Sequence, residues 1–156
     1  MKGGKLNDSK SCAANRSPRA PRFDCMGCGT VFELSPQSNG SWKETVLYAF
    51  CSLSGCADGE APGTGPMVRN AAGNLYGTTI QGGTSRNCNG ASCGVVFMLD
   101  PSGRETVLHS FTGDADGAAP LAGLVMDAGG ALYGTALGGA DPSCINGCGT
   151  VFKITP

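Results

Sequence analysis

The sequence predicts an all-β protein of β-propeller-like blades, each of four antiparallel strands, incomplete in one chain and completed by oligomerisation. Three observations lead there. Cys28-Gly29-Thr30-Val31-Phe32 returns as Cys93-Gly94-Val95-Val96-Phe97 and as Cys148-Gly149-Thr150-Val151-Phe152, and two further blocks recur in the same order. The 26 glycines and 9 prolines interrupt every stretch long enough for a helical apolar period. Short β-type runs bounded by Gly, Asn, Asp and Pro turns number four in the one complete repeat.

In chain order, the first copy supplies two strands, around Thr30–Phe32 and Glu44–Phe50. An insertion around Cys51–Cys56 follows. The second copy supplies four runs: Met67–Arg69, Leu75–Ile80, Val95–Leu99 and Thr106–Phe111. The third supplies three, with Leu132-Tyr133-Gly134-Thr135 matching Leu75-Tyr76-Gly77-Thr78. Residues 1–24 match no repeat and are read as a disordered segment, whereas 25–156 form the repeat domain of partial, full and partial blades. Such an arc leaves apolar faces and strand edges open to water, so the expected partner is a second copy of the chain. The strand ending at Pro156 is placed to pair with another chain's N-terminal hairpin.

Eight of the 9 cysteines fall in close pairs: Cys25/Cys28, Cys51/Cys56, Cys88/Cys93 and Cys144/Cys148, with Cys12 left over. Zinc is the rival reading at Cys25-x-x-Cys28, but the other spacings differ and there is only one histidine. Short-loop disulfides fit better and indicate a secreted or periplasmic location. The N-terminus has basic residues but no apolar core of a signal peptide, which points to a piece of a longer gene or an internal start. A net charge of −1 leaves no basic excess for nucleic acid, and no run of about 18 apolar residues provides a membrane span.

The blocks GLVMDAGGALYGT, CGTVFKITP and ETVLHSF together resemble the GloVer-type tandem repeat of long, mostly exported bacterial proteins, over about residues 28–156. Short stand-alone proteins of this type look like a calcium-dependent hydrolase of N-acylhomoserine lactones. The resemblance therefore implies a quorum-quenching lactonase with a small-molecule lactone as substrate. The alternative is a non-catalytic exported β-repeat module that binds carbohydrate or protein.

The side-chain inventory narrows the chemistry. There is no G-x-S-x-G elbow, no set of histidines for a dinuclear zinc site and no strand-to-helix glycine loop for a nucleotide. Calcium is the expected electrophile. Asp114 and Asp116 lie in a D-x-D-G stretch, and Asp58 and Glu60 stand at the matching place in the first copy. The stretch is not an EF-hand, since Ala118 and Val125 occupy the later ligand positions, and the competing reading of Asp58, Asp114 and Asp116 is turn-stabilising acceptors. His109 and Asp116 are the candidate catalytic pair. By strand alternation His109 shares a face with Val107 and Phe111, where the first copy has Tyr48, so packing competes with acid–base work. Tyr76, Tyr133 and Arg86 are the candidate substrate-binding residues, with packing as the rival role for the tyrosines. Arg86 and Asp141 sit in variable loops beside the paired cysteines, and Trp42 has no repeat counterpart.

Overall fold

The computed structural model describes residues 28–88, 92–139 and 148–156; the 1–24 segment, Cys25, Asp141 and Cys144 lie outside them. The described chain is all-β. Its strands are β1 (Thr30–Pro36), β2 (Trp42–Ala49), β3 (Glu60–Pro62), β4 (Val68–Arg69), β5 (Leu75–Gln81), β6 (Val95–Leu99), β7 (Glu105–Ser110), β8 (Val125–Met126), β9 (Leu132–Ala136) and β10 (Thr150–Ile154). A single 3-10 turn, Ser54–Cys56, is the only helical element among the described residues.

All pairings are antiparallel and fall into three separate sheets. The first is β1-β2, the second runs β3-β5-β6-β7 with β4 also on β5, and the third is β10-β9-β8. These sheets are the three sequence repeats. The strand missing from the sequence reading is β3. It has three residues, one of them proline, and joins through Glu60↔Gln81 and Pro62↔Thr79. So short a segment shows no alternation to read. The third repeat keeps a remnant of it in the isolated bridge Ala118↔Gly138.

Equivalent pairs carry an equivalent irregularity. The ladders β1–β2 and β6–β7 each shift register at one place, Val31/Phe32 and Val96/Phe97. One extra residue on β2 and on β7, Leu47 and Leu108, breaks the strict alternation. The expected face of His109 changes accordingly. His109 packs edge-on against Phe111 at 4.8 Å, but Val107 belongs to the cluster on the opposite side of the sheet.

Two apolar clusters join the three sheets. Val31, Leu47, Tyr48 and Phe50 of the first pack with Phe97, Leu99, Leu75 and Val107 of the second. Val96, Leu108, Tyr76 and Phe111 of the second pack with Leu124, Leu132, Phe152 and Ile154 of the third. At the centre of each is one edge-to-face ring pair, Phe50–Phe97 with centroids 5.0 Å apart and Phe111–Phe152 at 5.1 Å. The four rings are two copies of one contact, one repeat apart.

The glycine of each LYGT block exists because of these rings. Gly77 pairs with Phe97 and Gly134 with Phe152. A Cβ on Gly77 would lie 2.8 Å from the Phe97 ring, and one on Gly134 would collide with the ring of Phe152. Any side chain there would drive the phenylalanine out of the inter-sheet space.

Among the described residues, nothing covers the outer faces of the two end sheets. Phe32 is 52% exposed, Leu34 50% and Val46 54%, whereas their repeat equivalents Phe97 and Leu99 are 2% and 1% exposed and Val107 is half-buried. At the other end Val151 is 81% exposed where Val96 is fully buried.

Candidate functional site

The loops that follow β2 and β7 contain three of the predicted site residues, Asp58, Asp114 and Asp116, and His109 stands on β7 just before the second. Each loop is built around one aspartate. Asp58, fully buried, accepts hydrogen bonds from the Tyr48 hydroxyl (2.8 Å) and from the backbone N–H groups of Ser52 (2.8 Å) and Leu53 (3.2 Å). Asp116, one repeat on, accepts from the Thr112 N–H (2.9 Å), the Thr112 hydroxyl and Nε2 of His109 (3.0 Å). Because an ionised carboxylate only accepts, Nε2 carries the imidazole proton in this arrangement. Burial pushes the Asp116 pKa up, but the Thr112 and His109 hydrogen bonds outweigh it and hold the carboxyl below its ordinary value.

The loops share their backbone conformation as well as their acid. Asp58 and Asp116 are each followed by a left-handed glycine, Gly59 (φ 106°) and Gly117 (φ 104°), and then by a left-handed alanine, Ala61 (φ 55°) and Ala119 (φ 52°). Alanine in that region is uncommon and costs energy, so these turns are fixed by their surroundings.

His109 and Asp116 are therefore brought together, both partly exposed, with side-chain exposures of 37% and 29%. Asp114 sits two residues earlier in the same loop, 3.5 Å from the Asn87 amide nitrogen. Asp58 and Glu60 belong to the preceding repeat's loop, and Glu60 is half-buried in β3. The four acids do not form a common ligand set. Among the described residues, the one group of three or more potential ligands within 4.8 Å of one another is Cys28, Cys51 and Cys56.

The substrate-binding candidates are held elsewhere. Tyr76 is buried and its phenol oxygen accepts from the Asn70 amide (3.0 Å); Tyr133 donates to Asp127 (3.0 Å), the repeat equivalent of Asn70. The Lys153 ammonium lies 5.4 Å from the centre of the Tyr133 ring. Arg86 donates to the Gly55 carbonyl (3.0 Å), fastening its loop to the 3-10 turn of the first repeat. Trp42 is 64% exposed at the start of β2. A groove of about 180 Å³ runs beside β1, lined by Val31, Phe32, Pro62, Met67, Thr78 and Phe97 among others.

Disulfides join Cys51 to Cys56 and Cys88 to Cys93; Cys28 and Cys148 are also disulfide-bonded, with their predicted partners outside the described residues. Disulfides are consistent with an extracellular location. Among the described residues no helix is long and apolar enough to cross a membrane.

Glu105 went unnoticed in the sequence. Its repeat equivalent Glu44 is exposed, but Glu105 is half-buried and its Oε1 has no hydrogen-bond partner among the described residues. Desolvation, then repulsion from Asp58, raises its pKa from 4.5 to about 7. Burial, then the bond to Asp58, likewise pushes the Tyr48 phenol up.

Fold and loops together define an all-β tandem-repeat protein in which each repeat packs on the next. The chain belongs to the Gloeobacter/Verrucomicrobia repeat family, which matches residues 24–156. No curated protein and no solved structure matches it.

The Glu105 environment has a pH signature. Between its unfolded pKa of 4.5 and its folded value of about 7, the folded chain binds the proton more tightly, so stability falls as pH rises through that window. Partial solvent screening limits the effect to about 1–2 kcal/mol. In urea unfolding, Glu105→Gln should remove this part of the loss between pH 5 and pH 8 and make the protein more stable than wild type at pH 8. An unchanged pH profile in the variant would show that Glu105 is not the responsible group.

Proposed function

We propose that the chain is a non-catalytic, exported binding module whose repeats are propeller blades and whose ends are covered by further copies of the chain. The observation carrying this reading is the match between the uncovered faces. In the interior, the face with Val96 meets the next sheet's face with Phe152 and Ile154; the open ends present Val151 on one side and Phe32, Leu34 and Val46 on the other. A head-to-tail contact between copies repeats the internal packing, and such contacts close into rings when the rotation per copy permits. The loops fixed by disulfides and aspartates then form the surface for a carbohydrate or protein ligand.

Light scattering on the purified chain should give a discrete oligomer. Phe32→Asp and Val151→Asp, each on an exposed position, should each convert it to a monomer with an unaltered far-UV spectrum. A wild-type monomer, or an oligomer indifferent to both changes, would overturn the reading.

The His109–Asp116 pair favours a second reading, hydrolysis of N-acylhomoserine lactones. Here Asp116 fixes the tautomer of His109, leaving Nδ1 to take a proton from the water that attacks the lactone carbonyl. Calcium assistance through Asp114 and Asp116 belongs to this reading, although both oxygens of Asp116 already accept hydrogen bonds within its own loop. Ring opening of an acylhomoserine lactone that stops with EDTA, and that falls by at least about 100-fold in His109→Ala, would establish it. No turnover above buffer would remove it.

A further inference from the structure

We infer that Cys28, Cys51 and Cys56 in the first repeat form a thiol–disulfide exchange centre, at which a low-molecular-weight thiol converts the native pairing into a second covalent form containing a Cys28–Cys51 bond. The Sγ atoms of the three residues all lie within 4.8 Å of one another. Each of the three residues is half-buried.

The backbone explains how they meet. The Phe50 N–H donates to the Gly29 carbonyl at 3.0 Å, and the Ala61 N–H donates to the Cys28 carbonyl at 3.0 Å. These bonds set residue 51 and the end of its loop against residue 28. Cys51 and Cys56 both adopt left-handed conformations, with φ of 60° and 54°. For non-glycine residues that geometry is costly and is sustained by its surroundings, here including the short disulfide loop. Opening the Cys51–Cys56 bond releases that constraint.

The second repeat supplies an internal control. Cys93 corresponds to Cys28 and is bonded to Cys88, but the residue after Phe111 is Thr112 where the first repeat has Cys51 after Phe50. No third sulfur lies within the same reach of the Cys88–Cys93 pair among the described residues, and neither of these cysteines has a positive φ.

The exchange balances without net oxidation or reduction. A thiolate attacks Sγ of Cys56, forming a mixed disulfide and expelling Cys51 as a thiolate. Cys51 then attacks Sγ of Cys28, and the bond that Cys28 previously held breaks, its electron pair leaving on the former partner sulfur. The former partner of Cys28 is left as a thiolate and Cys56 keeps the small thiol as a mixed disulfide, so one thiolate is consumed and one released. The new Cys28–Cys51 bond encloses the whole β1–β2 hairpin, where the old Cys51–Cys56 bond encloses only the turn.

Trypsin cuts after Lys43, which separates Cys28 from Cys51. The folded protein should be incubated anaerobically with reduced glutathione, quenched in acid, alkylated, digested and mapped by mass spectrometry. The expected result is a new Cys28–Cys51 cross-linked peptide pair, with the Cys88–Cys93 linkage unchanged. Native pairing, or reduction without any link between Cys28 and Cys51, would overturn the inference. Cys56→Ser, checked for folding by circular dichroism, supplies the second arm: Cys51 should be recovered bonded to Cys28 without added thiol. Recovery of Cys51 as an alkylated free thiol would contradict the proposal.

Discussion

A pair of phenylalanine rings meeting edge to face, one just after the last strand of a repeat's sheet and one at the centre of a strand of the next, is the contact on which the arrangement rests. It occurs as Phe50–Phe97 and again as Phe111–Phe152. Each sheet alone is two to five strands with too little area to hide its own apolar side chains, so stability comes from stacking. The ring pair then dictates other choices. Glycine must stand beneath the ring at Gly77 and Gly134, and the bulges at Leu47 and Leu108 rotate the ends of β2 and β7 so that Phe50 and Phe111 reach the following sheet while Val107 serves the preceding one.

The loops leaving those strands are governed by a different force. Once β2 and β7 end at the interface, their loops must turn sharply, and a single aspartate satisfies the exposed backbone donors in each. A different partner at one position separates the two copies: Tyr48 donates to Asp58, whereas His109 faces Asp116. In the tyrosine copy the aspartate is fully buried and Tyr48 is half-buried. The histidine copy is more open, with His109 and Asp116 both partly exposed. Disulfides and the Arg86 bond to Gly55 add local rigidity to these loops.

Much of this was legible in the sequence because repetition amplifies weak local signals. Two, four and three strands were readable from CGTVF, ETVLHSF and LYGT blocks, since each instance supports the others. What repetition does not mark was missed. The three-residue β3 lacks a pattern, and the extra residue at Leu108 reversed the facing of Val107 relative to His109, a one-residue effect that strand alternation alone cannot reveal. Among the site residues, the equivalence of Asp58 and Asp116 was visible from the shared Asp-Gly, but their hydrogen-bond partners depend on loop closure. Glu105 matches Glu44 in sequence but is half-buried and lies near Asp58 of the first repeat's loop. The three-sulfur cluster was hidden for the same reason: spacing reveals local cysteine pairs, whereas Cys28 meets Cys51 through the β1–β2 ladder.

The most direct test of the account is a pair of double-mutant cycles in urea unfolding, one with Phe50→Leu and Phe97→Leu and the other with Phe111→Leu and Phe152→Leu. If the repeated ring contact holds the sheets together, both cycles should give favourable coupling energies of similar size, about 0.5–1.5 kcal/mol. Additive effects in either cycle would contradict it.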